Sequence, residues 1–88
     1  MLRYKIEAVS ERAVQTFGAA HQKVKAIEEL GELIQALSKD LLHCDHNVPE
    51  EIADVEIMIA QLRYMFNTEE IDKIKEEKLR KLAGVVVA

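Results

Sequence analysis

A repeat of apolar residues between positions 24 and 41 constrains the fold more than any other feature of the chain. The spacings of three and four match the 3.6-residue turn of an α-helix, so the repeat lies on one side of a helix. Its members are Val24, Ile27, Leu30, Ile34, Leu37 and Leu41. The repeat predicts a helix from about Ala20 to Leu42, which must pack its apolar side against other elements.

Helix-breaking residues are scarce, because the 88 residues include one proline and three glycines. We therefore expect long helices connected by short turns. Four are predicted, over about 2–17, 20–42, 48–66 and 68–83. Gly18 and Gly84 would end the first and the last helix. Asn47 and Asn67 would cap the third and the fourth, each with a glutamate three residues later as in a capping box. The expected class is all-α, with residues 1–88 forming a single domain.

Composition suggests that one chain does not complete its own core. Hydrophobic residues make up 49% of the chain but aromatic residues only 5%, so the core is expected to be aliphatic. A domain of this length buries only about 60–65% of the surface of its unfolded chain. We expect a homodimer or a homotetramer to complete the helix bundle.

Charge and cysteine content exclude several classes of partner. The formal net charge of −4 argues against broad binding of nucleic acid or of an anionic membrane surface. The single cysteine, Cys44, cannot form an intrachain disulfide, and the start MLRYKIEAV lacks the long apolar segment of a signal peptide. Both features favour a cytoplasmic protein. Cys44 lies among histidines at 43 and 46, but their spacing fits no familiar zinc pattern, so a polar loop is expected.

Two acidic pairs stand at helical spacing, Glu29 with Glu32 and Glu51 with Asp54. Residues three apart share one helix face, and like charges there repel by a few tenths of a kcal/mol. Glu51 also falls within ~40° of Val55 on a helical wheel, inside the apolar stripe of its helix. A carboxylate in that position needs a partner or a metal ion.

The pair in the second helix lies on the shoulder of the apolar repeat. We expect Leu30, Ile34 and Leu37 to provide the packing that holds Glu29 and Glu32 in place. If the second and third helices are antiparallel neighbours, the four carboxylates converge as a set of hard oxygen ligands suited to Mg²⁺, with Mn²⁺ as a substitute. Mg²⁺ commonly binds substrate phosphates as well, which points to a phosphorylated ligand.

The acidic pairs have two other interpretations. An oxygen-activating di-iron bundle is disfavoured, because it uses a histidine three residues after a glutamate. A non-catalytic helical interaction module with a solvated acidic face stays open, since glutamate is a common helix former.

The stretches EELGE at Glu28–Glu32 and EIAD at Glu51–Asp54 resemble the EExxE…ExxD signature of the MazG-like nucleotide pyrophosphohydrolases. The resemblance extends from about His21 to Leu82, and the context is similar to the small single-domain members found in bacteria and phages. It implies a four-helix all-α fold. It also implies Mg²⁺-dependent hydrolysis of (deoxy)nucleoside triphosphates between the α and β phosphates, giving the monophosphate and pyrophosphate.

The resemblance also implies roles for individual residues. The metal ligands and catalytic residues would be Glu29, Glu32, Glu51 and Asp54. Glu28 would be a further catalytic residue that positions water outside the ligand set. The segment EEKLRKL matches the region of the family's last helix that carries a phosphate-binding basic residue, which points to Lys78 and, one turn earlier, Lys75. Phosphoribosyl-ATP pyrophosphohydrolases carry a comparable acidic pattern, so phosphoribosyl-ATP is an alternative substrate.

Overall fold

The computed structural model describes residues 4–87, and this part of the chain is built from α-helices without a strand. The helices are α1 (Ile6–Phe17), α2 (Ala19–Leu41), α3 (Val48–Met65) and α4 (Thr68–Val86). The predicted all-α class is confirmed, as are the number and order of the helices within the described part. None of these helices has both the length and the apolar character needed to cross a membrane.

Helix boundaries depart from the prediction at two places. The helix α1 begins at Ile6, because Tyr4 and Lys5 precede it in non-helical conformation, while the predicted start near position 2 lies outside the described residues. Gly84 does not end α4, which continues to Val86. A glycine ends a helix where its backbone turns left-handed. Of the glycines only Gly18 has a positive φ, of 90°, and it separates α1 from α2.

The two predicted asparagine caps differ. The side chain of Asn67 accepts a hydrogen bond from the backbone N–H of Glu70 at 3.0 Å, as a capping residue should. Asn47 occupies the N-cap position of α3, but its side chain makes no capping bond. The capping box predicted at Asn47 is therefore wrong, and its amide group has another partner, described below.

The core of the chain is an antiparallel pair formed by α2 and α3, with α1 packed mainly against α3. The direction follows from the contacts, because Gln22 early in α2 meets Gln61 late in α3. These two buried glutamines join through Nε2 of Gln22 and Oε1 of Gln61 at 2.7 Å. A buried polar pair of this kind fixes the register of two helices, since a shift would leave Nε2 of Gln22 and Oε1 of Gln61 without this hydrogen bond.

The face of α2 that packs on α3 is not its apolar repeat. The buried residues of α2 are Gln22, Ala26 and Ala36, whose short or hydrogen-bonded side chains let the helices approach closely. The members of the repeat point away and remain 39% exposed at Leu30 to 79% exposed at Leu41. The expectation that Leu30, Ile34 and Leu37 hold the acidic pair in place within the chain is wrong.

The helix α4 stands away from the other helices. Among the helices of residues 4–87 it contacts only α3, and none of its 19 residues is buried. Arg63 of α3 forms an ion pair with Asp72 of α4 across the turn that joins them. The apolar side of α4, which includes Ile74, Leu79 and Leu82, is about half exposed. Helices in proteins gain most of their stability from packing an apolar face, so α4 is expected to gain stability from a further contact.

Candidate metal centre

Three carboxylates meet between α2 and α3. Glu29, Glu51 and Asp54 each offer one oxygen atom, and these oxygens lie within 4.8 Å of one another. Glu51 and Asp54 lie one turn apart on the face of α3 that packs on α2, and Glu29 faces them from the packed side of α2. The antiparallel pairing of the helices thus brings together residues that are more than twenty positions apart in sequence.

Two of these carboxylates are largely removed from water. Glu51 is 7% exposed, and the side chain of Glu29 is 12% exposed. In each, the Oε2 atom is inaccessible to solvent and has no hydrogen-bond partner. An unsatisfied buried polar atom costs about 1–3 kcal/mol, and more when it carries charge. The cluster fits a small hard cation, because such an ion binds carboxylate oxygens and each of the three residues brings one oxygen within 4.8 Å of the other two.

Glu32 lies at the exposed rim of the same cluster. Its pKa is raised above the ordinary value of about 4.5, chiefly by the negative charge of Glu29, then by that of Glu51, with smaller effects from desolvation and hydrogen bonding. Like charges nearby raise the pKa of a carboxyl because they disfavour its charged form. Glu32 therefore lies near Glu29 and Glu51, although the group of converging oxygens consists of Glu29, Glu51 and Asp54.

Each buried glutamate has its other oxygen engaged by a residue four positions earlier. The ammonium nitrogen of Lys25 lies 3.4 Å from Oε1 of Glu29, and a hydrogen bond to Glu29 is the main cause of the raised pKa of Lys25. The side-chain amide of Asn47 donates to Oε1 of Glu51 at 2.7 Å. Sequence reasoning missed both residues. The spacing of four on one helix could have indicated Lys25, whereas Asn47 was assigned to capping.

The remaining predicted site residues lie outside the cluster. Glu28 is exposed beside it, with Oε2 at 3.7 Å from the ammonium nitrogen of Lys25. Lys75 and Lys78 lie on α4 along its apolar side. Among the described residues α4 makes no contact with α2, and neither lysine forms an ion pair with a carboxylate of the cluster.

The connector between α2 and α3 forms the polar loop expected from its sequence. Cys44 is exposed, and Nε2 of His46 lies 2.9 Å from Oδ1 of Asp40. The imidazole therefore pairs with a carboxylate of the preceding helix. Among the described residues, the acidic cluster is the group with metal-ligand spacing.

The carboxylate cluster can hold a small divalent cation through oxygen atoms alone, with one side open to solvent at Glu32. Comparison of the chain with protein-family models, with curated proteins and with solved structures finds no match.

Proposed function

We propose that the protein is a MazG-like nucleotide pyrophosphohydrolase, which hydrolyses (deoxy)nucleoside triphosphates to the monophosphate and pyrophosphate. The observation that carries the proposal is the pair of buried, unpartnered oxygens, Oε2 of Glu29 and of Glu51, beside the carboxylate of Asp54. A small domain has little stability to lose, so buried carboxylate oxygens without a partner are best explained by a bound cation. The matching acidic signature in the sequence supports the same conclusion.

The donor set favours Mg²⁺, or Mn²⁺ in its place, since it contains carboxylate oxygens and no nitrogen or sulfur atom. Glu29, Glu51 and Asp54 would hold the ion, with Glu32 joining from the rim. When bound, it would stabilise charge on phosphate oxygens and make a bound water more acidic. Glu28, which is exposed beside Lys25, would position water outside the ligand set.

The substrate would approach from the exposed side of the cluster. Four carboxylates on their own repel a triphosphate, so cationic groups must compensate for its charge. Lys78 and Lys75 would contact the phosphates. Within one chain α4 does not approach α2. We therefore propose that these lysines reach the site from a second copy.

Exposed apolar surface supports the oligomer. The outward side of α2 presents Val24, Ile27, Ile34 and Leu41, each more than half exposed. The apolar side of α4 is also uncovered. Long contiguous apolar faces on a small protein mark interaction surfaces. A homodimer or homotetramer that buries both faces would complete the bundle.

An activity panel tests the proposal. The protein is incubated with Mg²⁺ and each (d)NTP, and separately with phosphoribosyl-ATP, while pyrophosphate and monophosphate are measured. We expect pyrophosphate from at least one (d)NTP, and Glu51→Gln should lower kcat/KM by about 10²–10³-fold, because it weakens a ligand of the ion that would stabilise charge on the phosphate oxygens.

Glu56→Gln is the matched control for that variant, because Glu56 is an exposed acid on the same helix outside the cluster. It should retain activity. Absence of pyrophosphate with every nucleotide, or full activity of the Glu51→Gln variant, would contradict the proposal. Cleavage of phosphoribosyl-ATP alone would keep the chemistry and change the substrate.

The same exposed faces of α2 and α4 also favour a second candidate, a non-catalytic helical interaction module. Titration calorimetry with Mn²⁺ separates the two. A module has no need to bind the ion, whereas the hydrolase should bind it and lose binding when Glu51 or Asp54 is neutralised.

A further inference from the structure

Asn47 departs from the usual behaviour of a helix-capping asparagine. It occupies the N-cap position of α3, where its side chain would ordinarily accept a bond from the first turn and contribute about 1 kcal/mol. Instead its amide nitrogen donates to Oε1 of Glu51 at 2.7 Å. The other N-cap asparagine, Asn67, does cap its helix. Asn47 therefore lacks the capping bond that Asn67 makes at the equivalent position of α4, which indicates a role for Asn47 other than helix stability.

Because of the hydrogen bond from Asn47, the two oxygens of Glu51 have different surroundings. Oε1 is held by the amide, while Oε2 is buried in the cluster without a partner. Glu29 is arranged alike, with Oε1 beside Lys25 and Oε2 unpartnered. Each glutamate therefore offers a single free oxygen to the centre.

The number of free oxygens bears on which ion fits. Ca²⁺ takes six to eight oxygen ligands and often binds both oxygens of a carboxylate, whereas Mg²⁺ demands a compact octahedron. The hydrogen bond from Asn47 takes one lone pair of Oε1 and fixes the orientation of the Glu51 carboxylate, which makes symmetric binding of an ion through both oxygens less favourable. We propose that Asn47 is a positioning residue that holds Glu51 as a one-oxygen ligand and so makes the centre prefer Mg²⁺ and Mn²⁺ over Ca²⁺. This inference rests on the metal site of the proposed function.

Calorimetric titration of the wild-type protein and of the Asn47→Ala variant, with Mn²⁺ alone and with Ca²⁺ alone, tests the inference. The wild-type protein should bind Mn²⁺ more tightly than Ca²⁺. The variant should bind Mn²⁺ about tenfold more weakly, the usual loss when a residue supporting a metal ligand is removed. Its Ca²⁺ affinity should fall less or rise, so the ratio of the two affinities should shrink.

Two further variants separate positioning from helix stability. Asn67→Ala removes the cap of α4, and should lower thermal stability while leaving the ratio of Mn²⁺ to Ca²⁺ affinity unchanged. Asn47→Ser keeps a good capping residue on α3 but lacks the longer amide donor, and should reproduce the loss of selectivity. It also provides the measurement if Asn47→Ala does not fold.

The results distinguish this inference from the proposed function. Wild-type binding of Mn²⁺ with an unchanged affinity ratio in both Asn47 variants overturns the role of Asn47 alone. Failure of the wild-type protein to bind Mn²⁺ overturns the metal site and this inference together.

Discussion

Glu51 is expected to lower the stability of the metal-free protein, although the proposed metal site requires its carboxylate. Its carboxylate is buried beside two other acids, and one of its oxygens lacks a partner. In Glu51→Gln the side chain keeps an oxygen for the amide of Asn47, while its new amide group can donate toward Glu29. We expect this variant to raise the free energy of unfolding of the metal-free protein by about 1–3 kcal/mol.

Urea denaturation in the presence of a chelator measures that effect. Glu56→Gln, an exposed acid of the same helix, should change the free energy of unfolding by less than about 0.5 kcal/mol. Addition of Mg²⁺ should stabilise the wild-type protein and not Glu51→Gln, because only a state that binds the ion gains from it. A metal-free Glu51→Gln protein that is less stable than wild type would contradict the prediction.

Glu32 gives the cluster a pH dependence. Its folded-state pKa is raised above the ordinary 4.5, mainly by Glu29, so its charged form disfavours folding. The associated stability is present below pH 4.5 and is lost as the pH rises through the raised pKa. Without metal, Glu32→Gln should therefore be more stable than wild type at pH 7, and the difference should vanish by about pH 4. Thermal melts across this range, with Glu76→Gln of α4 as the control, would reveal it; an effect independent of pH would contradict it.

The helices themselves were predictable from local sequence, since apolar periodicity and the three breaks at residues 18, 42–47 and 66–67 divide the chain into four helices. The orientation of α2 was not. Hydrophobicity assigns its larger side chains to the inside, yet Gln22, Ala26 and Ala36 form the packed face. A hydrophobicity pattern does not reveal that small residues such as alanine allow two helices to pack closely. It also does not reveal that Gln22 forms a hydrogen bond with Gln61, 39 residues later.

The candidate centre was predictable in part for a similar reason. Spacing of three placed the acids of each pair on one helix face, and the antiparallel connection brought the pairs together. The engagement of the second oxygens by Lys25 and Asn47 depends on side-chain conformation in three dimensions. Sequence alone therefore identified the acids of the cluster and not the residues that orient them.

Two glycines test the account of the helix boundaries. A Cβ added at either position meets no atom within 4 Å, but Gly18 has a φ of 90°, whereas Gly84 lies within α4. Gly84→Ala should stabilise α4 by about 0.5–1 kcal/mol. Gly18→Ala should destabilise the protein by about 1 kcal/mol or more, because an L-residue is strained there. Hydrogen exchange of the α4 amides measures the first and thermal unfolding the second. Equal effects of the two substitutions would contradict the assignment.

At the scale of the whole molecule, one chain is too extended for its length. Its Cα radius of gyration is 15.7 Å, whereas a compact domain of this size has about 12 Å. The difference agrees with α4 standing away from the other helices and with the outward apolar face of α2. An oligomer accounts for both, since each feature is surface that a second copy can cover.

Ile34→Glu tests the proposed oligomer, because Ile34 is central to the outward face of α2 and is 65% exposed in the single chain. Burial of an isoleucine contributes about 1.5–3 kcal/mol, and each interface would lose this at least once while gaining a buried charge. Sedimentation should show a dimer or tetramer for the wild type and a monomer for Ile34→Glu at the same concentration. Gln35→Glu adds the same charge at the neighbouring position and should remain assembled. A wild-type protein that sediments as a monomer with its helices intact would contradict the oligomer. Lys75 and Lys78 could then not reach the carboxylates from a second copy, and the proposed phosphate contacts would be wrong.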